Sequence, residues 1–161
     1  MQSKRTGAVF DLGGVLIDWN PRHLYRSLFP GDVAGMERFL AEICSPAWNL
    51  EQDRGRSWAD ATALLTAQHP EQAELIAAYR QRWHEMLRGP IEGSVAILAE
   101  LKRAGVPLYA LTNWSQETFP HALEQYDFLG WFEVIIVSGQ ERLVKPDPRI
   151  FRLLADRHGL D

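Results

Sequence analysis

Apolar residues along the chain fall into two rhythms. Three short stretches, at 8–12, 106–112 and 133–138, are nearly continuous in apolar character: "AVFDL", "VPLYALT" and "EVIIVS". Strands covered on both faces read this way, which predicts a parallel sheet sandwiched by helices. Elsewhere the apolar positions recur at helical spacing. In "GSVAILAELKRAG", Val95, Leu98 and Leu101 share a face, Lys102 and Arg103 sit in the last turn, and Gly105 supplies a left-handed stop. A second helix opens at "DPRIFRLLADRHG". Asp147 is its N-cap, Pro148 its first helical residue and Gly159 its end. Ile150, Phe151, Leu153 and Leu154 form its expected apolar side.

The region 20–88 follows a different pattern. No segment in it reads as a strand. "GMERFLAEIC", "SWADATALLTAQH" and "EQAELIAAYRQRWHEML" each read as an amphipathic helix, with Ser57 as an N-cap and Pro70 at a start or break. "RGP" at 88–90 marks the return to alternating strands and helices. The expected fold is therefore α/β, with a helical segment inserted soon after the first strand.

Composition narrows the classes of function. Apolar residues make up 46% and charged residues 24%, with a net charge of −4. Such a balance gives no basic footprint for nucleic acid. No apolar run nears the roughly 18 residues needed to cross a bilayer, and "MQSKRTG" leads into a strand without a signal-peptide pattern. A single cysteine, Cys44, excludes a disulfide within the chain and fits a reducing cytoplasm. With no partner motif nearby, Cys44 is expected to pack as a small buried residue.

Candidate chemistry gathers where strands end. In open parallel sheets, ligands bind at the carboxyl ends of the strands. Here those ends carry Asp11, then Thr112 and Asn113, then Ser138, while "VKPDP" places Lys145 before the last helix. Taken singly, Asp11 reads equally as a turn former, Thr112 as a β-branched strand residue, Asn113 as a turn residue and Lys145 as surface charge. Their order along the chain is what suggests one shared crevice. "GGVLIDW" after Asp11 reads as a tight glycine turn running into extended chain, and glycines there allow close backbone approach to an anion or a metal.

"VFDLGGVL", "LYALTN" and "VKPDPRIF" resemble, in order, three motifs of the haloacid dehalogenase superfamily of hydrolases. The helical insert falls between the first two and resembles the family's C1 cap. "FDLGGVLIDWNPR" and "WNLEQDRGRSW" are most similar to the subgroup of sugar-phosphate phosphatases and epoxide hydrolase N-terminal domains. The resemblance implies a Rossmann-like core over 1–19 and 89–161 and a cap over 20–88. It implies a phosphatase of small phosphorylated metabolites, cytoplasmic, a monomer or homodimer, with neither nucleic acid nor membrane as partner. Asp11 would be the nucleophile that forms an aspartyl intermediate. Thr112, helped by Asn113, would hold the transferring group, and Lys145 would neutralise charge on both Asp11 and the phosphoryl oxygens. Mg²⁺ would sit between the Asp11 carboxylate and the Gly13 carbonyl, while Gly14, Trp48 and Arg54 would meet the substrate.

Two departures from the family pattern matter. Gly13 stands where most phosphatases of the family carry an aspartate that protonates the leaving oxygen, a task glycine cannot perform. Asp18 would substitute for it if the glycine turn folds back. The family's fourth motif, an acidic pair, does not occur before Asp161, so the later strands of the core are expected to be absent and the first strand to be an exposed apolar edge. These departures leave two other readings. One is a metal-independent dehalogenase of 2-halo acids, with Arg54 or Arg56 gripping the carboxylate. The other is a non-catalytic binding domain using Trp48, Trp58 and Trp83, residues whose first expected use is core packing.

Overall fold

The computed structural model describes residues 6–160. Strand β1 (Ala8–Phe10) leads through a glycine turn into β2 (Ile17–Trp19). Helices α1 (Arg22–Leu28), α2 (Val33–Glu42), α3 (Pro46–Asp53), α4 (Trp58–Gln68) and α5 (Ala73–Gln81) follow. The chain returns through β3 (Leu87–Pro90), α6 (Glu92–Arg103) and β4 (Leu108–Thr112). Helix α7 (Phe119–Gln125), strand β5 (Val134–Val137), the short α8 (Ser138–Glu141) and α9 (Pro148–His158) complete it.

The three apolar runs form one parallel sheet in the order β1-β4-β5. Ala8 pairs with Leu108 and Thr112 with Val137, so β4 is central. Every residue of β4 is buried, which explains its unbroken apolar run. Leu108 and Ala110 enter the larger core, shared with Leu98 of α6. Tyr109 and Leu111 point the other way, onto Ile150 and Leu154 of α9. Strand β1 stands at the sheet edge, with Val9 51% exposed, as expected of a first strand without an outer neighbour among the described residues.

The predicted caps form: Ser57 accepts from the Asp60 amide, Asp147 from the Arg149 amide, and Gly159 is left-handed. Three details differ from the sequence reading. A strand, β3, begins at Leu87 inside the stretch expected to hold none, and it pairs antiparallel with β2. This ribbon joins residues some seventy positions apart, so no local periodicity announces it. The helix expected through "EQAELIAAYRQRWHEML" ends at Gln81 and continues as a 3₁₀ turn at Trp83–Met86. Phe151, expected on the apolar side of α9, is 46% exposed, because Ile150 and Leu154 take the inward positions.

Aromatic packing holds the helical segment together. Trp58 stacks on Tyr79 at 5.6 Å, and Trp48 meets both edge-on. Hydrogen bonds then tie this segment to the sheet. The Trp58 indole donates to Ser115 Oγ at 3.0 Å, and its backbone amide donates to Glu117 at 3.1 Å. Cys44 is buried, and burial pushes its thiol up to about 12, which removes it from nucleophilic chemistry. Among the described residues, no helix is long and apolar enough to cross a membrane.

Candidate active site

Strand β1 stops at Phe10, and Asp11 stands just past its carboxyl end. The glycine turn is closed by the Gly14 amide donating to the Ile17 carbonyl at 2.9 Å and the Ile17 amide donating to that of Leu12 at 3.0 Å. Gly14 has φ +75°, a conformation that favours glycine. Gly13 has no such need, and a Cβ built on it would meet nothing within 4 Å.

Lys145 reaches across from the loop before α9. Its Nζ lies 2.8 Å from Asp11 Oδ2 and donates to the Leu111 carbonyl at 2.8 Å. Asn113 fixes that loop by two bonds. Its Oδ1 accepts from the Lys145 amide at 2.8 Å, and its Nδ2 donates to the Lys145 carbonyl at 3.1 Å. The Asn113 side chain therefore positions Lys145. Thr112 is 1% exposed, and its Oγ1 has no hydrogen-bond partner. A buried hydroxyl in this state costs stability unless something else fills its bond.

A cavity of about 190 Å³ opens over these strand ends. Asp11, Gly13, Asn113 and Lys145 line it from the strand ends and the loop before α9. Asn49 and Asp53 of α3, with Trp19, Trp83, Trp114 and Thr118, form the rest of the lining. Of the residues named from the sequence, Gly14, Thr112, Trp48, Arg54, Arg56 and Asp18 do not line it. Gly14 shapes the turn. Trp48 packs in the aromatic cluster. Arg54 lies beside Glu51 at 3.7 Å, and Arg56 donates to Gln52 at 2.7 Å and to the Trp48 carbonyl at 3.1 Å. Asp18 pairs with His23 at 2.9 Å. Of the three tryptophans, Trp58 packs in the core and Trp83 meets both the core and the cavity.

Asn49 and Asp53 escaped the sequence reading. They stand at i, i+4 in "WNLEQDRGRSW", a spacing that puts both on one helix face and was the available signal. Asn49 Nδ2 donates to Asp53 Oδ2 at 3.3 Å. Burial pushes the Asp53 carboxyl up to about 7, opposed by a hydrogen bond from the Ser115 backbone. Ser138, fully buried, donates to the Asp53 carbonyl and accepts from the Trp114 amide at 2.9 Å. Both the backbone and the carboxyl of Asp53 are thereby tied to the segments that follow β4 and β5.

A carboxylate, its lysine and a glycine turn at the end of the first parallel strand agree with the family profile that matches residues 6–161, that of a haloacid dehalogenase-like hydrolase. The chain belongs to this family. Phosphoglycolate phosphatase of Escherichia coli is 30% identical over 177 residues, covering 96% of this chain and 69% of the enzyme. A solved haloacid dehalogenase-family enzyme from Bacteroides thetaiotaomicron, in a magnesium complex, superposes with a TM-score of 0.68 at 19% identity, over 99% of this chain and 80% of that one. L-2-haloacid dehalogenase of Xanthobacter autotrophicus, with chloropropionic acid covalently bound, gives 0.61 at 18% identity, over 95% and 64%. At these identities the two structures speak to the fold. Among the described residues, no group of three or more His, Cys, Asp or Glu side chains gathers to hold a metal ion.

Proposed function

We infer that the protein is a phosphatase of small phosphorylated metabolites, acting through an aspartyl-phosphate intermediate in the cytoplasm. The observation that carries this reading is the Asp11–Lys145 pair, 2.8 Å apart, on the wall of a cavity at the strand ends. The 30% identity to phosphoglycolate phosphatase supports phosphoryl transfer over other hydrolysis.

In this reading Asp11 attacks phosphorus. Lys145 offsets charge on Asp11 and on the phosphoryl oxygens, and Asn113 keeps Lys145 in place. Thr112 lies off the cavity with its hydroxyl unpartnered, so in this reading its bond to a phosphoryl oxygen forms only as the site closes on substrate. The donor set also fits Mg²⁺, which takes one or two carboxylates and leaves its other positions to water and phosphate. The Asp11 carboxylate and the Gly13 carbonyl would hold the ion, which when bound lends positive charge to the phosphoryl group. The helical segment 20–88 serves as a cap over a core made of 1–19 and 89–161. It supplies Asn49, Asp53 and Trp83 to the cavity and excludes water during reaction.

Phosphate release from p-nitrophenyl phosphate and a panel of sugar phosphates, with Mg²⁺ or with EDTA, tests the reading. Turnover that needs Mg²⁺ and is lost in Asp11→Asn is expected. Turnover indifferent to both changes overturns it.

A second reading rests on Gly13. A halide leaving group needs no proton, so a site without the usual acid suits 2-haloacid dehalogenation. Chloride release from 2-chloropropionate without metal is its signature.

A further inference from the structure

Phosphate ester hydrolysis at this site has one chemical task still without a residue. An alkoxide leaving group needs a proton, and Gly13 cannot give one. Asp18, the nearest candidate by sequence, is engaged with His23 and lies off the cavity. Asp53 is on the cavity wall, on the side that the helical segment supplies. In an in-line displacement the leaving group faces away from the nucleophile. With Asp11 as the nucleophile, the leaving group points away from Asp11 into the cavity that Asp53 lines from the helical segment.

We propose that Asp53 is the proton-transfer residue of this site, delivered by the helical segment in place of the acid missing at position 13. The proposal rests on the phosphatase reading. In the first half-reaction an Asp11 carboxylate oxygen forms a bond to phosphorus while the phosphorus–oxygen bond to the leaving group breaks. The departing oxygen takes the Asp53 proton, giving an alcohol and an Asp53 carboxylate. In the second half, water attacks the aspartyl phosphate and gives its proton to Asp53. Inorganic phosphate leaves, and both carboxyl groups return to their starting states.

The surroundings suit the role. The Asp53 carboxyl meets neutral donors, the Asn49 amide and the Ser115 backbone amide, while Asp11 and Lys145 line the same cavity. Tyr79, fully buried, is the further titratable group that feels its charge. Burial raises the carboxyl to about 7, so a proton is available near neutrality. Asn49 holds the Asp53 carboxyl and Ser138 holds its backbone carbonyl, as proton transfer from a fixed position requires.

The test uses leaving groups of different need. p-Nitrophenolate departs without a proton, whereas the alkoxide of glycerol 2-phosphate does not. In single turnovers with Mg²⁺, Asp53→Asn is expected to lose glycerol release at least 100-fold and to keep the nitrophenolate burst within about threefold. Gly13→Asp added to Asp53→Asn is expected to restore glycerol release at least tenfold, since position 13 has room for the side chain. Equal loss on both esters, or no loss, overturns the proposal while leaving the phosphatase reading intact. Release from neither ester by the wild type overturns both. A measurement on the wild type covers a variant that does not fold. Rates across aryl phosphates fall only weakly as the leaving group becomes more basic if Asp53 protonates it, and a steep fall overturns the role.

Discussion

The core segments and the helical segment both line the cavity, and the core wall and the helical wall each carry an aspartate in a different setting. Asp11, on the core wall, has a lysine ammonium at 2.8 Å and its carboxylate partly open to water. Asp53, on the helical wall, has only amide donors and is pushed up to about 7 by burial. A desolvated carboxyl keeps its proton longer. In the proposed mechanism one residue type serves two tasks in one cavity, and what separates them is the company each keeps.

The sharpest way to break the comparison is to remove the pair on the core wall. Asp11→Asn is expected to abolish phosphate release, a loss of about 1,000-fold or more, because no other carboxylate takes its place. Lys145→Ala is expected to cost about 100- to 1,000-fold in kcat, as charge stabilisation is the larger part of phosphoryl transfer. Steady-state release from p-nitrophenyl phosphate checks both. A Lys145→Ala protein with undiminished turnover would remove that wall from the mechanism.

The helical wall is tested next through its own stability. With its carboxyl raised to about 7 from 3.8, folded Asp53 keeps a proton that the unfolded chain has already released. Its contribution is therefore full below the unfolded value and is lost as pH rises from about 4 through about 7. The decline is on the order of 4 kcal/mol, and Asp53→Asn is expected to flatten it. Urea unfolding at several pH values between about 4 and 8 reads this directly. An unchanged slope in the variant would show that Asp53 does not keep its proton.

The joint between the walls gives a smaller effect. Ser138→Ala removes the hydroxyl that bridges the Trp114 amide and the Asp53 carbonyl, leaving both without that partner, at a cost of about 1–3 kcal/mol. Gly139→Ala strains the same joint, since its Cβ would meet Gln116 N at 2.5 Å and the Trp114 carbonyl at 2.9 Å. A cost of about 1–3 kcal/mol is expected there too. Thermal melting checks both. The smallest effect belongs to a cap outside the cavity lining: Ser57→Ala loses the bond to the Asp60 amide and about 1 kcal/mol.

Much of the core wall is legible in the order of residues alone. Continuous apolar runs announce strands buried on two faces, and polar residues at their ends announce a crevice, because both follow from neighbours close in sequence. The caps at Ser57, Asp147 and Gly159 are local for the same reason. The sequence pattern therefore determined the sheet, its helices, the family and the Asp11–Lys145 pairing. Tertiary structure alone decided the β2–β3 ribbon, the turning of Trp48, Arg54 and Arg56 away from the cavity, and the use of Asn113 to hold Lys145. It also decided that Asp53 joins the site, through a serine 85 residues further along the chain. Helical periodicity tells which residues share a face. Which face meets the cavity is set by how the aromatic cluster packs the helices together and how Ser138 and Ser115 dock them onto the strand ends.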